Sequence, residues 1–367
     1  MTRQWDYSLM MLWLAAVTVG FVMVASASYP MGLKSGAPAH FVIRHGVYLL
    51  AGLAALCICA VLPLRLWLDV HRPLLIAALL LTAMVFLPVL GHAAKGSSRW
   101  IGLGPVSIQS AEVAKFALVV YLAGYLTRNQ AALSTDALAL VRPLALVGLL
   151  CALLLAQPDF GSVVVLVAVT GGVLFLAGAR LRHFLSIVFI AGVLLAVVSV
   201  LQPYRLQRMI TFLDPWADPF RSGYQLTQAL IAFGRGDLFG LGLGAGIQKL
   251  SYLPEAHNDF IFAVIAEELG LVGALVVFVL LIALVLRIFR IAGQALEEGR
   301  PFAGYVAYGT ALLLGIQCVI NVGVNTGTLP TKGLTLPFIS YGGNSLVVCC
   351  ALLGLVLRVQ LERGRSR

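Results

Sequence analysis

The chain has 367 residues, of which 60% are hydrophobic and only 11% charged, far more apolar than a soluble domain, where about half the residues are apolar. That composition excludes a soluble enzyme or binding module and identifies an integral membrane protein. The formal net charge of +10 does not point to nucleic acid, because the arginines gather between apolar runs as topology signals do, and no nucleic-acid partner is expected.

A hydrocarbon core about 30 Å thick requires roughly 20 apolar residues as helix. In chain order the apolar runs predict ten spans, near 9–28, 46–62, 73–91, 110–126, 141–156, 162–178, 183–201, 260–287, 304–325 and 340–358. The expected fold class is all-α integral membrane, one polytopic domain over residues 1–367, with a large extracytoplasmic loop at 202–258 between helices 7 and 8. Ala25, Ser26 and Ala27 mimic a signal-peptidase site, but no strongly basic region precedes them, so an uncleaved first helix is expected. All six cysteines lie within apolar runs, without a metal-binding spacing.

Short loops holding Arg65 and Arg72, Arg128 and Arg142, Arg180 and Arg182, Arg287 and Arg290, and the tail from Arg358 alternate with poorer ones. The richer loops, and both termini with them, are expected to be cytoplasmic. The long loop then faces outward with Arg205, Arg208, Arg221, Arg235 and Lys249, while Lys95 and Arg99 stand in a second outer loop and Lys332 in a third. Two readings stand side by side: long loops translocate whatever their charge, or these cations form an outer surface for an anionic, membrane-held ligand. Within the loop, GRGDLFGLGLGAG supplies closely spaced glycines; lacking a strand before and a helix after, it fits a re-entrant segment better than a nucleotide site.

Ionisable groups at membrane depth mark a functional site or a buried pair. Glu112 and Lys115, three residues apart at the start of the fourth span, share a helical face and suit an ion pair as well as a ligand site. Asp159, in the turn QPDFG, has helix capping as its ordinary role. Glu267 and Glu268 fall about 12 Å along the helix from Asp259 and off its face, as partners of other helices. In LPEAHNDF, Asn258 or Asp259 could cap a helix starting at Phe260, or Asp259 could take a proton from a sugar hydroxyl at the outer mouth. His257 reads as a satisfied loop histidine that could also position that mouth.

The stretches YRLQRMITFLDPWADPFRSGYQLTQALIAFGRG, LPEAHNDFIFAVIAEELGLVG, NVGVNTGTLPTKGLTLPFISYGGNS, KGSSRWIGLG and QPDFG together resemble the SEDS family of peptidoglycan glycosyltransferases. The wording LPTKGLTLP and DPWADPF is closer to its cell-division branch, FtsW, than to its elongation branch, RodA. The resemblance runs from about Lys95 to Arg358 and departs from the family's wording at three places. Asn258 stands where threonine is usual before the essential aspartate, Ser110 replaces a proline in Gln109-Ser110-Ala111-Glu112, and Asn344 replaces a serine in Gly342-Gly343-Asn344-Ser345.

The resemblance implies a ten-helix enzyme of the bacterial cytoplasmic membrane that polymerises lipid II on the outer face. In that scheme Asp259 is general base for an inverting displacement of undecaprenyl pyrophosphate. Lys332, Arg99 and Lys95 are the leading candidates to stabilise the pyrophosphate, Arg205, Arg208 and Lys249 weaker ones, and Lys115, Glu112 and His257 complete the candidate site. No cofactor is fixed by the sequence, and a divalent cation, Mg or Mn, stays open. Implied partners are lipid II, the undecaprenyl-linked glycan, membrane lipid, a class B penicillin-binding transpeptidase of the FtsI type and other divisome membrane proteins. A lipid II flippase and a non-catalytic division scaffold are the alternatives; no internal repeat supports the first.

Overall fold

The computed structural model describes residues 6–87, 91–94, 97–103, 106–133, 138–200 and 203–363. Within them the helices are α1 (Tyr7–Lys34), α2 (His40–Val61), α3 (Leu64–Met84), α4 (Ser110–Leu133), α5 (Leu138–Ala156), α6 (Phe160–Leu176), α7 (Leu181–Val200), α8 (Pro203–Leu213), α9 (Tyr224–Gly236), α10 (Ile261–Glu297), α11 (Pro301–Asn325) and α12 (Gly343–Arg363). Among the described residues nine of these are long and apolar enough to cross a membrane, and α6 is a shorter apolar helix beside them. They match the ten expected spans in order. The all-α membrane fold is therefore as expected, with one addition: β1 (Gly91–Ala94), β2 (Ser97–Leu103) and β3 (Val106–Gln109) form a small antiparallel sheet between α3 and α4.

The helices overrun their apolar windows because polar side chains satisfy their ends. Asp6 caps α1 by accepting from the Leu9 N–H at 3.0 Å and pairs with Arg287 of α10 at 2.8 Å. Arg65, Arg72, Arg128, Arg142 and Arg182, expected in loops, lie inside helices instead. A backbone with every N–H and C=O paired can carry a charged turn beyond the hydrocarbon, which an unpaired loop could do only in water. All the longest connections fall at one end of the bundle, the end that holds the sheet, the 201–260 segment and the 326–342 segment.

α10 breaks once, at Gly270 (φ 70°, ψ −175°). A broken helix leaves main-chain groups unpaired, which is tolerated at membrane depth only where protein covers them. The glycine-rich stretch after α9 does so. The N–H groups of Leu241 and Gly242 donate to the carbonyls of Glu267 and Glu268 at 3.0 Å, and those of Leu271 and Val272 donate to Asp237 and Leu238 at 2.9 and 3.1 Å. Gly240 (φ 80°) lies so close to the Glu268 carbonyl that no side chain fits. The glycine-rich segment thus packs onto the break in α10, with the N–H groups of Leu241 and Gly242 spent on the protein.

Candidate functional site

Asp259 sits in the turn that precedes α10, where its side chain is half-buried. The capping alternative is corrected by the structure. The N-cap of α10 is Phe260, with no side-chain capping bond, and the Ala263 N–H is capped instead by Asn325 Oδ1 of α11 at 3.1 Å. A carboxamide from a neighbouring helix has taken the donor that Asn258 or Asp259 would otherwise cap, a role worth about 1 kcal/mol.

The same α11 asparagines fasten the Asp259 backbone. Asn325 Nδ2 and Asn321 Nδ2 donate to the Asp259 carbonyl at 3.0 and 2.9 Å, and Asn321 Nδ2 also donates to the Leu334 carbonyl at 2.6 Å. Two carboxamides one helical turn apart thus hold two loops, one carrying Asp259 and the other Lys332 and Gly333. A methyl group on Gly333 would lie 2.9 Å from Asp259 Oδ2, so the second loop packs directly against the carboxylate. From the 338–341 turn, Ser340 Oγ donates to the Asn258 carbonyl at 2.7 Å and the Tyr341 N–H to the His257 carbonyl at 2.9 Å. Sequence reasoning passed over Asn321 and Asn325, although two amides at positions i and i+4 on an apolar helix are a readable signal.

Lys332, immediately before Gly333, sits with its ammonium 3.4 Å from the centroid of the Phe160 ring, a cation–π contact. Phe160 opens α6 behind Asp159, which caps that helix by accepting from the Ser162 N–H and hydroxyl at 3.3 and 2.8 Å. Arg99 of β2 donates to the carbonyls of Gln157 and Pro158 at 3.2 and 2.5 Å. Its guanidinium therefore anchors the turn that presents Phe160, one step removed from the ligand contact expected of it. Asn344 plays a similar part for the sheet, donating to the Ser107 carbonyl at 2.9 Å.

The other candidates stand elsewhere. Glu112 and Lys115 form a buried pair at 2.7 Å, and Glu112 Oε2 has no partner among the described residues. Lys249 is buried against Glu268 at 2.5 Å, facing inward instead of toward an outer ligand. The His257 ring is buried among Phe41 and Tyr341, with ring centroids at 5.2 and 5.3 Å. Lys95 lies outside the described residues, and Arg205 and Arg208 stand on α8 with side chains outside them. Of the expected set, Asp259 and Lys332 are brought onto facing loops.

Glu267 and Glu268 also differ from expectation: their partners come chiefly from the segment after α9 and only in part from another helix. Glu267 accepts from the Ile247 and Gln248 N–H groups at 3.1 Å each and pairs with Arg235 at 3.3 Å. Glu268 accepts from the Gly244 N–H at 3.0 Å, from Ser26 of α1 at 2.8 Å and from Lys249.

A family model described as "cell cycle protein", FtsW/RodA/SpoVE, matches residues 6–365. A protein of Coxiella burnetii named probable peptidoglycan glycosyltransferase FtsW is 46% identical over 364 residues, covering 98% of each chain. One of the same name from Legionella pneumophila is 47% identical, covering 94% of this chain and 88% of its own. Two solved structures share the architecture. A chain of a peptidoglycan synthase complex, described as showing "structural coordination of polymerization and crosslinking", aligns with TM-score 0.80 at 33% identity, covering 98% of each chain. The rod shape determining protein RodA of Thermus thermophilus aligns with TM-score 0.72 at 30% identity, covering 99% of this chain and 98% of that one. With its whole length matched in sequence and fold, this multi-pass membrane chain belongs to the FtsW/RodA/SpoVE family of cell cycle proteins.

Proposed function

We propose that the chain is a peptidoglycan glycosyltransferase that joins lipid II disaccharides into β-1,4 glycan strands during septal cell-wall synthesis. Relatives bearing that name over nearly the full length support the reaction class. The observation that carries the assignment of Asp259 is its setting. The half-buried carboxylate faces Gly333 beside Lys332, on a backbone clamped by Asn321 and Asn325, with the cap of its helix supplied by Asn325.

Asp259 takes the proton from the 4-hydroxyl of the acceptor N-acetylglucosamine. The oxygen attacks the anomeric carbon of the donor N-acetylmuramic acid, and the bond to the lipid diphosphate breaks with both electrons going to the leaving oxygen. A single in-line displacement turns the α-linkage into a β-linkage. The proton leaves Asp259 for solvent. Because diphosphate needs no general acid once a cation offsets its charge, one carboxylate and the neighbouring Lys332 supply the essential groups. Among the described residues no cluster of three or more His, Cys, Asp and Glu side chains could hold a metal. Asp259 alone is too small a donor set to do so. A Mg or Mn ion would enter with the substrate's diphosphate.

The reading places both termini in the cytoplasm and the site on the extracytoplasmic face, where the arginine-poor loops lie. It also takes a class B penicillin-binding transpeptidase as partner, in keeping with the coupling of polymerization to crosslinking in the aligned synthase complex. The test is to incubate the purified protein and that partner with labelled lipid II, comparing wild type with Asp259→Ala and Asp259→Asn. Glycan chains should form with wild type alone. Chains formed at the wild-type rate by both variants would remove Asp259 as the base; transfer of lipid II across vesicles with no polymer would favour transport.

A further inference from the structure

We propose that the polar cavity between α8, the start of α9 and the loop before Lys332 is a saccharide subsite, holding the sugar that adjoins the reacting one. The inference rests on the glycosyltransferase reading and deepens it. The cavity measures about 430 Å³, within the range of ligand clefts. Gln207 of α8 lines it together with Arg221, Tyr224 and Gln225 at the start of α9.

Ser222 lines it as well, and two further residues tie it to the site. Pro254 opens the turn that ends at Asp259, and Thr331 directly precedes Lys332 and Gly333, the residue packed against the Asp259 carboxylate. Whatever fills the cavity therefore lies along both segments that carry the reacting groups.

The lining selects the chemical class. Two carboxamides offer donors and acceptors suited to hydroxyl and acetamido groups, and a tyrosine offers an apolar ring with a polar end. Arg221 is the one cation among these lining residues, and it adjoins Asp218, whose carboxyl is held below its ordinary value first by donation from Ser222 and to a smaller degree by the Arg221 charge. A single guanidinium falls short of the positive charge that a diphosphate, with two or more negative charges, would require. Polar groups supply about half of its wall, so an acyl chain would leave them unpaired. The apolar groove of about 210 Å³ between α1, α2 and α12, lined by Trp13, Leu53 and Leu357, supplies the opposite chemistry.

The test uses the full chain in lipid nanodiscs. A soluble tetrasaccharide of alternating N-acetylglucosamine and N-acetylmuramic acid is the probe, read by saturation-transfer NMR, with inorganic pyrophosphate as competitor. The tetrasaccharide should bind wild type and Asp259→Ala alike and resist displacement by pyrophosphate. Removing both amides, Gln207→Ala with Gln225→Ala, should raise KM for lipid II about tenfold with kcat nearly unchanged, as the loss of one or two hydrogen bonds predicts. Arg221→Gln provides a second measure should the double variant fold poorly. No tetrasaccharide binding to wild type, equal binding to the amide variants, or displacement by pyrophosphate would overturn the proposal. Should wild type bind the tetrasaccharide through these amides yet form no glycan, the glycosyltransferase reading falls and the subsite stands.

Discussion

Asp259 and the Glu267–Glu268 pair stand only eight and nine residues apart, about 12 Å along one helix, in opposite surroundings. The two glutamates are fully buried, and the oxygens of each accept from backbone N–H groups and from a basic side chain. Their chemistry is used up inside the protein. Asp259 is half-exposed at the end of the bundle, and Asn321 and Asn325 hold its main chain. The buried glutamates hold a structure together; the half-exposed Asp259, on a clamped backbone against Gly333, is the one proposed to meet a substrate. Depth in the membrane alone would have ranked the glutamates first.

The largest effects should break that contrast cleanly. Asp259→Asn keeps size and removes the base, so the polymerisation rate should fall by about 10²–10⁴ while the thermal melt of the purified protein hardly moves. A large drop in Tm would make Asp259 a structural residue like its neighbours. Glu268→Gln should do the reverse: with Lys249 buried and uncompensated, stability should drop by about 3–5 kcal/mol, visible in the melt before any change in kcat per folded molecule. Adding Lys249→Met should recover much of the loss, since removing both charges is cheaper than stranding one. If the double variant melts no higher than Glu268→Gln, the ion pair is not what seats the glycine-rich segment.

A smaller effect separates clamp from base. Asn325→Leu removes the bond to the Asp259 carbonyl and the cap on Ala263 together, so it should cost about 1–3 kcal/mol of stability and lower kcat about tenfold through misplacement of the carboxylate. Asn325→Asp keeps the acceptor that caps Ala263 but turns a buried carboxylate oxygen on the carbonyls of Asp259 and Asn321, so it should destabilise at least as much as Asn325→Leu. A rise in KM at unchanged kcat would show that the clamp shapes binding alone.

The sequence made the ten membrane helices readable because each is a run of apolar residues long enough to cross the hydrocarbon, a one-dimensional signal. The sheet β1–β3 and helices α8 and α9 carry no such signal, being short and half-polar. Asp259 and Lys332 were legible through a family resemblance, but their meeting was not, since it depends on Gly333 and on a helix 62 residues further along the chain from Asp259. Arg99 and Lys249 looked like free cations for the same reason: their partners, two carbonyls of the α5–α6 turn and the Glu268 carboxylate, come from distant segments. Composition records a charge, whereas only the fold records what that charge already touches.

Asp218 takes the comparison to its exposed limit and should give the smallest effect. Its carboxylate accepts from the Ser222 N–H and hydroxyl at 3.1 and 2.8 Å, and these donations hold its pKa below the ordinary value. A carboxyl whose folded value is depressed adds stability that is complete above the unfolded value, about 3.9, and is lost as pH falls through the folded one. The protection of the Ser222 amide relative to its intrinsic exchange rate should therefore stay constant from neutral pH to about pH 5, then fall in acid as the turn before α9 loosens. Asp218→Asn should abolish that acid dependence without altering the global melt at neutral pH. Were the melt to fall as it does for Glu268→Gln, solvent exposure would not be what separates the structural acids from the rest.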